Sequence, residues 1–132
     1  MPKIVILGAG SQARVNLDAV RAMGRGDDVL GMIETDGDRS RWGRRLDGCL
    51  VLGGIQKLRK GIAEEAVLGY GDNRKRWNLL ERARKLGLAL PVVVHPDASV
   101  SSRAVLKEGA VILAGAVVVT GARIGVGAIV NT

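Results

Sequence analysis

From Val94 onward the chain repeats every six residues without a slip of phase: VHPDAS, VSSRAV, LKEGAV, ILAGAV, VVTGAR, IGVGAI, then VNT. The first position of each unit is a branched aliphatic (Val94, Val100, Leu106, Ile112, Val118, Ile124, Val130), and the fifth is always alanine (Ala98, Ala104, Ala110, Ala116, Ala122, Ala128). A helix needs apolar residues near every 3.6 positions and a simple strand near every 2, so a strict period of six argues against the alternative of a glycine- and alanine-rich segment buried as a helix or as ordinary strands. The period fits a flat-faced β-solenoid in which each unit makes one short strand and one corner of a triangular prism. The first-position aliphatic then points inward and stacks on its counterpart one coil away, and the alanine is small because the three faces converge at the corner. Gly109, Gly115, Gly121 and Gly127 fall where the backbone turns and favours positive φ.

The preceding residues have a different grammar. Lys3 to Leu7 reads as a buried strand, and Gly8-Ala9-Gly10-Ser11-Gln12-Ala13 follows at once, opening a helix to about Met23 with Ser11 as N-cap. Strand, glycine turn and helix give G-x-G-x-x-A its meaning: Gly8 permits the tight turn, Gly10 lets a ligand approach the backbone, and Ala13 lets helix and strand pack closely. Free N–H groups at such a helix start suit a phosphate. A second strand, Val29 to Glu34, ends in an acid about twenty positions beyond the glycine turn, where dinucleotide-binding folds bond a ribose. The competing reading makes Glu34 the start of a solvated charged loop, ETDGDRSRWGRR.

A strand at Val51-Leu52 entering a glycine turn, a short helix from Ile55 to Lys60 and a strand from Ala66 to Tyr70 come next. Gly71-Asp72-Asn73 then caps a helix from Arg74 to Leu86, which Gly87 stops, and a last strand, Pro91 to Val94, delivers the chain into the prism. Alternating strands and helices imply a small parallel sheet, because parallel neighbours need crossovers. The expected class is α/β: a Rossmann-like domain over residues 1–93 followed by about two coils of β-helix over 94–132.

Composition bounds the function. Six of the seven net positive charges precede Val94, which favours phosphate-bearing ligands, but only Trp42, Tyr70 and Trp77 are aromatic, which argues against nucleic acid. The lone Cys49 excludes an intrachain disulfide, and neither a signal peptide nor an apolar run long enough for a membrane span is present, so a cytoplasmic setting is the default expectation. No metal site is expected.

Taken in order, GAGSQAR, the acidic end of the second strand, VLGG, GxGDNxxR (Gly69, Gly71, Asp72, Asn73, Arg76), VHPDASV and the hexapeptide phase resemble the sialic-acid O-acetyltransferase and UDP-4-amino-sugar N-acetyltransferase family of left-handed β-helix enzymes. The resemblance covers essentially all 132 residues. It implies that the first domain holds a UDP-sugar or related sugar, that acetyl-CoA is the co-substrate along the β-helix between subunits of a trimer, and that a prism histidine oriented by a carboxylate is the base. Carried over by position, Gly8, Gly10, Ser11 and Gln12 line the sugar-phosphate site, Glu34 and Thr35 lie toward the nucleoside, and Gly71, Asp72 and Asn73 form the opposite lip. The bland alternative for all of these is turn and cap formation.

Two departures bear on chemistry. The base is expected just after the Asn131-Thr132 dipeptide at which the sequence stops, and the single histidine, His95, lies elsewhere and reads as structural. Hence no catalytic residue is assigned, and a fragment or frameshifted remnant of a longer enzyme is preferred to a natural short form. Family members also often carry histidine where this chain has Gln12, which leaves the sugar open. The leading expectation is a sugar acetyltransferase, inactive as these residues alone. A non-catalytic nucleotide-sugar module is the runner-up, and an NAD-binding oxidoreductase domain, resting on GxGxxA and Glu34, is third.

Overall fold

The computed structural model describes residues 1–132. Strand β1 (Ile4–Leu7) lies at the centre of a sheet with β2 (Val29–Ile33) on one side and β5 (Glu65–Leu68) on the other, both parallel to it. Beyond β2 comes β4 (Cys49–Gly53), also parallel, and then β3 (Arg45–Leu46), which pairs antiparallel with β4. The order β3-β4-β2-β1-β5 places the change of winding direction between β1 and β5.

Alternation along β1 explains why both faces of this sheet are covered. Ile4 and Ile6 join one apolar cluster with Ala13, Leu17 and Val20 of helix α1 (Ser11–Ala22). Val5 and Leu7 join another with Leu79, Leu80 and Ala83 of helix α2 (Asn73–Lys85). A helix of α2's length and polarity is marginal in isolation. Each fully buried leucine adds about 2 kcal/mol, so Leu79 and Leu80 hold the helix in place more than its own propensity does.

The repeat winds as its period demands. Short strands β6 (Val93–Val94), β7 (Ser99–Val100), β8 (Val105–Leu106), β9 (Val111–Ile112), β10 (Val117–Val118), β11 (Arg123–Ile124) and β12 (Ile129–Val130) form three parallel faces, β6-β9-β12, β7-β10 and β8-β11. Val93 pairs with Val111, Ser99 with Val117, Val105 with Arg123 and Val111 with Ile129, so three six-residue units make one coil. Ile112, Ala116 and Val118 are the buried centre, and every other first-position aliphatic packs against them. Gly109, Gly115, Gly121 and Gly127 all have φ between 69° and 78°, the left-handed corner geometry that their position in the repeat predicts.

Several boundaries differ from the sequence reading. The N-cap of α1 is Gly10, in extended geometry and without a side-chain bond, so Ser11 is the first helical residue and not the cap. The expected helix from Ile55 to Lys60 is a single 3-10 turn, Ile55–Lys57, because Leu58 leaves the helix to join the core under α2. Part of the charged stretch after β2 forms β3, and Val93–Val94 belongs to the prism, where it pairs only with β9.

The prism docks against both helices. Val93, Val111 and Leu113 on the outer side of the three-stranded face bury themselves in the cluster that contains α1. From the other helix, the Leu80 side chain lies so near Gly127 that a Cβ there would come within 2.9 Å of it. Gly109 N–H also donates to the Leu90 carbonyl at 3.0 Å, fixing the connecting segment to the first coil.

Candidate functional site

The carboxyl ends of β1, β2 and β5 converge beside the point where the winding reverses, which is where open parallel sheets bind ligands. Backbone bonds lock the strand ends together: Gly8 N–H donates to Ile33 O at 2.7 Å and Gly69 N–H to Leu7 O at 2.8 Å. Gly8 has φ of +124°, and a Cβ there would sit 2.6 Å from the Gly69 carbonyl oxygen, so the glycine turn and the turn after β5 are in backbone contact. A Cβ at Gly69 would in turn meet the Ala13 side chain at 2.8 Å, which explains the small residue at that point of α1.

The predicted residues thus fall on three adjoining lips. On the first, Gly10 caps α1 and its Cα faces open space except for Arg41, leaving the Ser11, Gln12 and Ala13 N–H groups outside the helical ladder. Gln12 is tied down: its Nε2 donates to Asn16 Oδ1 at 2.8 Å, and fully buried Asn16 donates to Leu68 O at 2.8 Å. On the second lip, Glu34 is buried, not solvated as the alternative reading had it, and accepts from Asp36 N–H at 2.6 Å and Trp42 Nε1 at 3.4 Å. Thr35 follows it with a buried hydroxyl that has no hydrogen-bond partner.

The third lip is Tyr70 to Asn73. Gly71 borders open space, Asp72 caps α2 by accepting from Lys75 N–H at 2.9 Å, and Asn73 Oδ1 accepts from Arg76 Nη2 at 2.7 Å. Asp72 therefore does perform the structural role that was its bland alternative. Asn73 also borders the cleft between α2 and the prism, beside Arg76, Trp77, Leu80 and Gly127.

Four side chains at this site were not singled out from the sequence. Arg41 donates from Nη1 to Ala9 O at 2.7 Å, which brings a guanidinium over the glycine turn. Lys75 pairs with Asp36 and lies 4.6 Å from the Tyr70 ring centroid, joining the second lip to the third. The Lys75 hydrogen bond, then the neighbouring Tyr70 phenol, holds the Asp36 carboxyl below its usual range. Burial, then the neighbouring Asp36, pushes the Tyr70 phenol up. The Tyr70 hydroxyl is buried beside Thr35, Asp36 and Lys75 without a well-formed bond to any of them. Arg41 was hidden in a stretch that read as a charged loop, whereas Tyr70 carried a signal, being one of only three aromatic residues.

Cys49 and His95 are not among the residues of the three lips. Burial pushes the Cys49 thiol up, away from reactivity. His95 Nδ1 accepts from Asp97 N–H at 3.0 Å, and its Nε2 lies 3.9 Å from Asp18 Oδ2, beyond hydrogen-bond distance.

The PglD N-terminal domain family matches residues 3–83, the stretch that contains all three lips. The chain belongs to this family. Among solved structures, this PglD-type chain is similar to perosamine N-acetyltransferase from Caulobacter crescentus, a histidine-to-asparagine mutant in complex with CoA and GDP-perosamine. The TM-score is 0.87 with 32% identity, over 98% of this chain and 60% of that one. It is likewise similar to the acetyltransferase domain of PglB from Neisseria gonorrhoeae, with a TM-score of 0.84 and 33% identity over 98% of this chain and 62% of that one. The same domain has been solved in complex with acetyl coenzyme A. The PglD-type chain thus spans 60–62% of the length of these structures, from the α/β sheet through the two coils. No curated protein sequence matches it.

Proposed function

We propose that these residues are the nucleotide-sugar-binding part, with the first coils of the acyl-donor platform, of an acetyl-CoA-dependent sugar acetyltransferase. The observation that carries the reading is the crevice where Gly8, Thr35 and Tyr70 meet, in a sheet docked directly on a β-helix. A phosphate fits the first lip, where three helix-start N–H groups and the Arg41 guanidinium converge. The nucleoside fits between the second and third lips, where a small rotation of the buried, unpartnered Thr35 and Tyr70 hydroxyls would bring them to a polar ligand. Gln12, held by Asn16, orients the sugar through its free amide oxygen but supplies no base.

Acetyl-CoA supplies the acyl group when bound. The prism contributes a rigid wall beside the crevice, and its exposed Val117 and Val119 form an apolar strip suited to contact with another subunit, as a trimer requires. On this reading the residues of the three lips bind and orient the sugar, and none of them is assigned as the base.

The reading is tested by thermal shift, because a ligand that prefers the native state raises its melting temperature. UDP- and GDP-linked 4-amino sugars should raise it and NAD should not. A shift with NAD alone would replace this reading with the oxidoreductase one. No acetyl transfer to an amino-sugar nucleotide is expected from residues 1–132, and turnover would show that the base has been misplaced.

A further inference from the structure

The side chain that spans the two halves of the molecule is Arg76. Its Nε donates to the carbonyl of Gly127, in the second coil, at 2.7 Å. Its Nη1 donates to the carbonyls of Tyr70 and Gly71, each at 3.1 Å, and its Nη2 to Asn73 Oδ1 at 2.7 Å. One planar guanidinium therefore holds three residues of the crevice's third lip and one corner of the prism in a fixed mutual geometry. Burial lowers the Arg76 pKa from its ordinary value, though arginine remains charged.

We propose that Arg76 is a positioning residue: it sets the Tyr70–Asn73 lip by referencing it to the second coil, so that ligand affinity in the α/β sheet depends on the prism. This rests on the reading of the crevice as a nucleotide-sugar site. Three observations support it beyond the contacts themselves. Arg76 is the side chain whose hydrogen bonds tie the Tyr70 and Gly71 carbonyls of the lip to the prism, while the other anchors of the lip, Lys75 on Asp36 and Tyr70 and the Gly8–Gly69 contact, lie within the α/β sheet. The acceptor carbonyl belongs to a corner glycine with φ of +69°, whose geometry the repeat itself fixes. No carboxylate pairs with Arg76 among the ion pairs, so its charge serves carbonyl and amide dipoles rather than a surface salt bridge.

Lysine cannot replace it, because a single ammonium cannot reach both sides of the junction as a fork does. The test compares the wild-type chain with Arg76→Lys, which keeps the aliphatic stem and charge, and Arg76→Gln, at a temperature where circular dichroism shows each folded. The dissociation constant for GDP-perosamine, and for a UDP-4-amino sugar, should rise about tenfold in both variants, the scale of one or two lost charge-assisted bonds. Without ligand, amide exchange over residues 70–73 should accelerate while Val67 in β5 stays protected.

Gly127→Ala perturbs the same junction from the prism side and should weaken binding in the same direction. Variants that bind as tightly as wild type, or exchange at 70–73 that does not change, would overturn the positioning role. Absence of binding by wild type to either nucleotide-sugar would instead overturn the reading of the site, and the positioning role with it.

Discussion

Gly8 and Gly69 meet backbone to backbone: a Cβ on Gly8 would lie 2.6 Å from the Gly69 carbonyl oxygen, and φ at Gly8 is +124°. The contact welds the glycine turn after β1 to the turn after β5. Both the sterics and the dihedral exclude a side chain.

Gly8→Ala should accordingly destabilise the chain by about 3 kcal/mol, combining the strain of a left-handed dihedral with overpacking. Urea denaturation would measure it. A loss below about 0.5 kcal/mol, the scale of a neutral surface change, would mean that the two turns separate freely.

The phase of the prism makes a paired prediction. Ile112 is fully buried at the centre of the coils, whereas Val117, five positions on, is 67% exposed. Ile112→Ala should cost about 3 kcal/mol, and Val117→Ala should stay within about 0.5 kcal/mol in the monomer. Equal costs would mean that the inner and outer columns have been interchanged.

That phase was legible because a repeat states its own register: each six-residue unit carries its inward aliphatic and its corner, and neighbouring coils restate them. The G-x-G-x-x-A turn was legible for a related reason, since Gly8 and Ala13 answer to contacts made within one strand-turn-helix unit and its neighbour. Glu34 was not, because its burial depends on Trp42 folding back to donate an N–H from eight residues away. Arg41 was opaque, and Arg76 stood in the GxGDNxxR motif without any sign of what it would hold. Their partners, Ala9 and Gly127, are backbone carbonyls, which leave no trace in side-chain pattern. The cap of α1 fell one residue early because an extended Gly10 can occupy that place without any side chain to announce it.

The link between Asp36 and Lys75 should appear as a small, pH-dependent stability term. The folded-state pKa of Asp36 is lowered, chiefly by the Lys75 hydrogen bond, from an ordinary 3.8. Its contribution is therefore complete above that value and is lost as pH falls through the lower folded one. Both side chains are more than a third exposed, so screening limits the pair to about 1 kcal/mol or less. Lys75→Gln should lower stability slightly at pH 7 and not at all once the carboxyl is protonated in both states. An undiminished difference in strong acid would assign the effect to the cation on the Tyr70 ring instead.

Tyr70 offers the sharpest separation of stability from recognition. Its hydroxyl is buried without a partner, so the folded chain gains nothing from it and loses the hydration it had when unfolded. Tyr70→Phe keeps the ring under Lys75 and should leave stability unchanged or raise it by about 1 kcal/mol, on the scale of removing an unsatisfied buried group. If the hydroxyl awaits a ligand's polar atom, the same substitution should weaken nucleotide-sugar binding about tenfold, the equivalent of one good hydrogen bond. Calorimetric titration and denaturation of the one variant would read both quantities. Opposite signs, stability held and affinity lost, mark a group kept for a ligand, whereas a stability loss with affinity intact would make Tyr70 a structural residue and move the nucleoside end of the crevice elsewhere.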